Sequence, residues 1–572
     1  MRWALPLGVT LVALVVVATA FDIAPHSGGD NAGYISLAYS LLKQHAYVDL
    51  FDPAHLAHTK YPPVFPAVLA GLMLLGVRGW IGLKSAAAVP TVAAVLLAYL
   101  WARRRMGSLA AAGVALVVAF SSAFVYYSHW VLSDPLFVAL TMLALWALDH
   151  GTEARSAGHV TRGSTGGGAE DGGASRPGAG WLALGVASAG LAYFTRSAGI
   201  PLLVAILAWM GMRRRWRALA VSGASLGIPV LLWWLRARSV AGEGYVSEFW
   251  LVDPYNPDLG RVGVGGLLAR MGTNLVGYVG THIPMGIVGA PGGAVHLLGI
   301  ALVALAVVGW WRALRSGAGP SELFLPLYTG LILLWPAVWS GDRFALPLIP
   351  LLLGYAAVAL ASLGDRLGRG PAMLMGAAGF LLLTLPALKS WMGSTREASA
   401  CSAVVRARGS FGCYGSRVET FVDAARWSGA NLPEGAAVLS RKPRIFYVMS
   451  GLPSRTFPFT DDAHTLLSLA DSLEARYVLV DQWDSQAGRY VVGSVRQAPG
   501  AFCMLRGFGS SSAGGAQMLG ILPPDQRVAS TPSTSAERTY LRPCPASYVR
   551  GEGNAPYSSS SGAIPLLSGL DP

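Results

Sequence analysis

Between residues 28 and 63 the chain gathers groups suited to proton transfer: Gly28-Gly29-Asp30-Asn31-Ala32-Gly33-Tyr34, then Asp49, Asp52, His55, His58 and Lys60-Tyr61-Pro62-Pro63. A carboxylate at a membrane surface can take the proton of a hydroxyl that attacks an electrophile. Asp30 follows two glycines, which allow a substrate close to the backbone. Its competing structural role is a helix N-cap, for which Asp is a preferred residue. Lys60, Arg196 in Tyr193-Phe194-Thr195-Arg196-Ser197 and Arg343 beside Asp342 could clamp a phosphate, guanidinium offering bidentate donors. Asp134 closes an aromatic stretch, Tyr126-Tyr127-Ser128-His129-Trp130, and precedes Pro135 at a helix start. Ionisable residues near membrane depth are costly and usually face a site or a partner. For Asp134, Arg196 and Arg343 the alternatives are interfacial anchoring and an intramolecular ion pair. Cations suffice to stabilise a lipid phosphate as a leaving group, so this chemistry requires no metal. His26, His45, His55 and His58 offer a metal alternative, but His55 and His58 have no third ligand at short range.

The elements that must position these groups are those of a polytopic α-helical membrane protein. Hydrophobic residues make up 53% of the 572 and charged ones 13%, against roughly 25% charged in an average soluble protein. The first 388 residues hold 41 charged side chains and the last 184 hold 32, so a membrane part precedes a more water-compatible one. A net charge of +13 invites a nucleic-acid partner. Against it, the basic residues form short clusters just after apolar stretches, Arg103-Arg104-Arg105, Arg213–Arg217, Arg312/Arg315 and Arg366/Arg369, as expected of cytoplasmic loops.

Eleven spans are expected, at 3–21, 84–102, 109–127, 134–149, 180–195, 198–212, 218–235, 285–311, 321–339, 345–363 and 371–388. The first is taken as uncleaved, although Ala18-Thr19-Ala20 also suits a signal peptide. The apolar stretch 62–77, opened by Pro62-Pro63-Val64-Phe65-Pro66, is placed in the interface, because a span there would put Arg103–Arg105 outside. The N-terminus is then in and the C-terminus out.

The expected membrane domain is 1–388. It has a first outside loop at 22–83, where Ile35, Leu37, Ala38, Leu41 and Leu42 suggest a helix on the membrane surface, a cytoplasmic linker at 151–179, and a second large outside loop at 237–283. That second loop carries Glu243, Tyr245, Glu248, Trp250, Asp253 and Tyr255, and is either solvated or a binding surface. Residues 389–525 read as an extracytoplasmic α/β domain, with helices near 417–429 and 461–475 and strands at 436–440 and 476–481, followed by a Ser/Pro/Gly-rich tail at 526–572. All four cysteines, Cys401, Cys413, Cys503 and Cys544, lie beyond 388. Two disulfides in an oxidising compartment fit that confinement. Proximity favours Cys401–Cys413 with Cys503–Cys544, and four unpaired buried thiols are the alternative.

At these residues the sequence resembles the GT-C membrane glycosyltransferases, in particular the branch with protein O-mannosyltransferases and the lipid A aminoarabinose transferase. The matching pieces are Asp30 with Tyr34, Lys60-Tyr61-Pro62-Pro63, Ser133-Asp134, Thr195-Arg196 and Arg343-Phe344-Ala345-Leu346-Pro347-Leu348-Ile349-Pro350. The resemblance implies that Asp30 is the catalytic base and that the donor is a sugar on a polyprenyl phosphate, transferred with inversion. It also implies that Lys60, Arg196 and Arg343 hold the donor phosphate, with Tyr34, Tyr61 and Asp134 contacting substrate. Asn31 departs from the mannosyltransferase pattern, in which a second acidic residue often follows the aspartate. The stretch Ala436–Arg444 with Tyr447 and Gly451 resembles the outer domain of bacterial members.

The function expected is transfer of a sugar from a polyprenyl-phosphate donor to a hydroxyl of a lipid, glycan or protein at the outer face of a bacterial cytoplasmic membrane. The rivals are a transporter or flippase of a lipid-linked sugar, which would leave the donor chemically intact, and a non-catalytic assembly protein.

Overall fold

The computed structural model describes residues 3–77, 79–160, 177–240, 248–290, 292–509, 514–528 and 541–550. Most of the linker expected at 151–179, Glu243 and Tyr245 of the second loop, and much of the tail after 526 lie outside these residues. The chain forms two compact units: Met1–Phe21, Thr59–Phe65 and Lys84–Ala398 make one, and Asp22–His58, Pro66–Leu83 and Ser399–Pro572 the other.

The first unit is a helical bundle. Five helices are long and apolar enough to cross a membrane, Trp80–Ala102, Gly178–Thr195, Trp216–Ser239, Gly293–Gly317 and Gly370–Arg408, and shorter apolar helices include Ala4–Thr19, Ser108–Phe120 and Pro320–Leu334. Trp216–Ser239 buries only Ser222 and Leu226 and leaves Ile228, Leu231, Leu232 and Leu235 facing outward. An apolar helix with an apolar exterior is matched to hydrocarbon rather than to water. Between helices the contacts rest on small residues. A Cβ on Gly309 would come within 1.8 Å of the Tyr355 carbonyl oxygen, and one on Gly354 within 2.3 Å of the Trp101 ring. Such glycines let backbones approach where lipid provides no hydrophobic drive between helices.

A polar clasp ties four helices to the turn that follows Trp80–Ala102. Arg105 Nη1 lies 2.6 Å from Asp149 Oδ2 and its Nη2 3.4 Å from Glu322 Oε1, while the Tyr355 hydroxyl donates to the same Glu322 oxygen at 2.7 Å. The Trp310 indole donates to the Glu322 carbonyl at 2.8 Å. Each buried charge thereby has an opposite charge or a donor, which is the condition for tolerating it there.

Several expected spans are broken. The stretch 285–311 divides into Ile283–Val288 and Gly293–Gly317, with Gly289 at φ +72° and Pro291-Gly292 between them. The stretch 109–127 breaks at Ser121, whose ψ of 128° leaves the helical region. The stretch 321–339 ends as a helix at Leu334, before Trp335-Pro336. Proline disfavours helical backbone in the residue before it, which accounts for that stop. At the other extreme, the span expected to close at 388 belongs to one helix, Arg369–Arg408.

The second unit holds a five-stranded mixed sheet, β1 (Val438–Leu439), β2 (Ser454–Arg455), β3 (Tyr477–Val480), β4 (Phe502–Phe508) and β5 (Ala516–Ile521), in the order β2-β1-β3-β5-β4. β1 runs parallel to β2 and β3, and β5 runs antiparallel to β3 and β4. Helices Ser416–Asn431 and Ala463–Ser472 match the expected ones within a few residues. Cysteines pair as Cys401–Cys413 and Cys503–Cys544. Part of the expected tail is therefore structured: Met504 of β4 donates to the Arg542 carbonyl at 2.8 Å, and Cys544 returns a bond to Met504 at 3.1 Å.

Residues 22–58 and 66–83 of the first loop group with this sheet, and 59–65 with the helical bundle. Ser454 N–H donates to the Phe51 carbonyl at 2.6 Å, Arg455 Nε lies 2.7 Å from Asp52 Oδ2, and the Tyr414 hydroxyl donates to the Pro25 carbonyl at 2.7 Å. Its helix Gly29–Tyr39 is not a surface helix. Every residue from Asn31 to Tyr39 is buried, and the helix packs on Pro443–Ser450. Helical spacing alone cannot tell a lipid-facing stripe from one covered by protein. Val64–Leu74 is 11 residues long. At 1.5 Å per residue this gives about 16 Å, roughly half of the hydrocarbon thickness.

Candidate active site

Asp30 stands in the first turn of Gly29–Tyr39, behind Gly28, whose extended φ −79° and ψ 137° start the helix. The N-cap position is therefore Gly28, and Asp30 is not the cap. A negative charge in the first turn is favoured by the helix dipole. Asp30 is 36% exposed, and Arg444 Nη1 approaches its Oδ1 at 3.7 Å. The approach is possible because residue 33 is glycine: a Cβ there would meet Arg444 Cδ at 3.0 Å. Tyr34 is buried one turn along the helix.

Behind Arg444 come two more cations of the stretch whose resemblance to an outer domain implies a part in choosing the acceptor. Arg441, Lys442 and Arg444 open the helix Pro443–Ser450. Arg441 Nε lies 2.8 Å from Asp484 Oδ2, and Lys442 Nζ reaches the same oxygen at 3.9 Å. Each cation lies over a ring, Arg441 over Phe459, Lys442 over Trp483 and Arg444 over Phe51, with centroid distances of 5.5, 5.7 and 5.4 Å. Burial, then the neighbouring Arg441 charge, holds the Lys442 ammonium below its ordinary pKa, against the pull of Asp484, Asp481 and Asp30. The signal available in sequence was a basic triplet outside every apolar stretch.

Elsewhere in the same unit Asp49 Oδ1 lies 2.8 Å from Nδ1 of the buried His58, and Asp52 is taken by Arg455. His26 Nδ1 accepts from Gly28 N–H at 2.7 Å. Among the described residues no three His, Cys, Asp or Glu side chains cluster as a metal site would require.

The cations singled out in the sequence lie in the other unit. Three chain breaks converge there. Asp134 begins the helix Asp134–Val160; Arg196 takes extended backbone (φ −148°, ψ 131°) between the helices Pro177–Thr195 and Ile200–Met212; and Arg343 lies in the four-residue helix Asp342–Ala345. Asp134 Oδ1 is 2.5 Å from Arg196 Nη1, and its Oδ2 is 2.8 Å from Arg343 Nε. Asp134 is 4% exposed at its side chain. The intramolecular ion pair held open for Asp134, Arg196 and Arg343 is present, one carboxylate fixing two guanidiniums side by side. The Tyr127 hydroxyl donates to Asp342 Oδ1 at 2.9 Å. Lys60 is paired with Glu248 at 2.6 Å, which gives the second loop a structural tie, and Tyr61 is buried. In that loop Asp253 accepts from Tyr255 N–H at 2.8 Å, forming a local turn.

Comparison with solved structures matches this architecture across nearly the whole chain. The oligosaccharyltransferase AglB from Archaeoglobus fulgidus, solved with an inhibitory peptide and a dolichol-phosphate, aligns over 90% of this chain and 74% of its own, with TM-score 0.55 and 15% identity. ArnT from Cupriavidus metallidurans bound to undecaprenyl phosphate aligns over 91% of this chain and 98% of its own, with TM-score 0.51 and 15% identity. The chain has the GT-C fold. The apo form of ArnT gives the same GT-C alignment, with TM-score 0.50 and 16% identity over 90% of this chain and 97% of its own. No protein-family model and no curated protein sequence matches the chain.

Proposed function

We propose that this GT-C protein is an inverting membrane glycosyltransferase that moves a sugar from a polyprenyl-phosphate carrier to a hydroxyl acceptor. Asp30 takes the proton from the acceptor hydroxyl, whose oxygen forms the new bond to the anomeric carbon. The bond from that carbon to the phosphate oxygen breaks, and its electron pair leaves with the polyprenyl phosphate. Lys60, Arg196 and Arg343 stabilise the leaving phosphate, and the reaction requires no metal. The observation that carries the reading is the fold shared, over about nine-tenths of the chain, with two proteins solved with dolichol-phosphate or undecaprenyl phosphate. The exposure of Asp30 in a helix first turn supports its role as base.

The arrangement in the membrane proposed with this function is eleven spans, N-terminus in and the sheet-bearing unit outside, in a bacterial cytoplasmic membrane. What supports it is the position of the basic clusters and the shortness of Val64–Leu74. Two disulfides in the second unit fit an oxidising compartment.

The test is transfer by purified protein from an undecaprenyl-phosphate sugar. Loss of a general base costs about 10²–10⁴-fold, so Asp30→Asn should lose transfer to that extent while still binding undecaprenyl phosphate. Turnover at the wild-type rate in Asp30→Asn would remove Asp30 as base, and donor recovered chemically intact from the wild-type protein would remove the transferase reading.

A further inference from the structure

We propose that Arg441, Lys442 and Arg444 form a site for an anionic group, phosphate or carboxylate, on the acceptor whose hydroxyl Asp30 deprotonates. This rests on the reading of Asp30 as base and adds the chemical class of the acceptor.

Three observations lead to it. The first is placement: of three cations within four residues, Arg444 has Nη1 3.7 Å from Asp30 and Lys442 is close enough to Asp30 to feel its charge, while Arg441 pairs with Asp484. The second is pre-organisation. The cations lie over Phe459, Trp483 and Phe51, and their side chains are 13%, 23% and 20% exposed, so they are held in place yet reachable from solvent. The third is incomplete compensation. Asp484 binds Arg441 closely but lies 3.9 Å from the Lys442 ammonium, which makes no hydrogen bond among the described residues. A half-buried ammonium that is desolvated and set beside a guanidinium gains from an added anion.

The chemistry of displacement then assigns the anion to the acceptor. In an inverting transfer the base and the attacking oxygen are on one face of the anomeric carbon and the leaving oxygen on the other. Cations beside the base therefore lie on the acceptor's side, whereas a donor phosphate leaves from the opposite face.

The chain has five lysines, Lys43, Lys60, Lys84, Lys389 and Lys442, which makes a direct measurement practical. The full-length protein in detergent is acetylated with an amine-reactive ester, and each lysine is followed by peptide mass spectrometry. We expect glycerol 3-phosphate or glucuronate to slow modification of Lys442 by about fivefold relative to Lys43 and Lys389, as a charge-assisted contact would, with glucose having no effect. Which anion protects more tells a phosphate-bearing from a uronate-bearing acceptor. The double variant Arg441→Gln/Arg444→Gln should lose the protection, whereas Arg506→Gln should keep it. Equal protection by glucose, or none by either anion, overturns the proposal. Because the readout needs no turnover, the two readings fail separately. Protection lost in a protein that depends on Asp30 removes only the anion site. Active Asp30→Asn protein removes the base, and with it the assignment of the anion to an acceptor.

Discussion

Asp134 and Arg343, 209 residues apart in sequence, meet with carboxylate Oδ2 2.8 Å from guanidinium Nε. The other oxygen of Asp134 holds Arg196, so one buried carboxylate balances two cations. Removing one partner of a buried ion pair costs about 3–5 kcal/mol. Asp134→Asn should therefore lower the thermal midpoint in detergent markedly, and Arg343→Gln less, since Arg196 still pairs with the carboxylate. Equal midpoints for Asp134→Asn and wild type would mean that the triad contributes nothing to stability.

Glu248 competes for Lys60. If Lys60 holds donor phosphate, its 2.6 Å bond to Glu248 must loosen when donor binds. Glu248→Gln is expected to tighten undecaprenyl phosphate binding severalfold and Lys60→Met to weaken it, both read as dissociation constants. Weaker binding in Glu248→Gln would assign Glu248 to positioning Lys60 instead.

Asp481 gives the second unit a pH signature. Burial, opposed by a bond from Trp483 N–H, pushes its carboxyl up to about 6. The unfolded chain releases this proton near pH 4, so between about 4 and 6 the folded state holds a proton that the unfolded state has lost. Stability then falls as pH rises through this window, by on the order of 2 kcal/mol. Asp481→Asn should flatten the dependence of melting temperature on pH between 4.5 and 6.5 and be more stable than wild type at pH 7. A slope identical to wild type would exclude Asp481 as its source.

The two disulfides should differ in worth. Cys503–Cys544 closes 41 residues and Cys401–Cys413 closes 12. The chain-entropy account gives about 4 and about 3 kcal/mol respectively. Cys503→Ser/Cys544→Ser should melt lower than Cys401→Ser/Cys413→Ser. It should also be the variant in which limited proteolysis cuts at 541–550, since the bridge fastens that segment to β4.

Much of this architecture is legible in sequence because apolar runs and basic clusters are one-dimensional signals. The helices around 84–102 and 180–195, the cysteine pairs and the helix at 416–431 all show in composition or spacing. Residues with local partners were legible as well: Asp30 beside its glycines, Arg196 at a break between apolar runs. What the sequence did not show is who pairs with whom at long range. That Asp134 serves two arginines, that Lys60 meets Glu248, and that Asp30 has Arg444 beside it depend on contacts spanning 62 to more than 400 residues. Breaks inside apolar stretches, at Ser121 and at Gly289, were hidden for another reason. Hydropathy averages over a window and is blind to two residues of non-helical backbone.

The loop that carries Asp30 is held by residues made 389 or more positions later: Tyr414 binds Pro25, Arg444 approaches Asp30, and Ser454 and Arg455 bind Phe51 and Asp52. At about 5–20 residues per second of synthesis, the segment 22–58 waits roughly 20 to 80 seconds for the strands that complete it. A nascent chain halted before residue 440 would hold Asp30 on an unfinished scaffold, so this loop is completed by the end of translation rather than by membrane insertion.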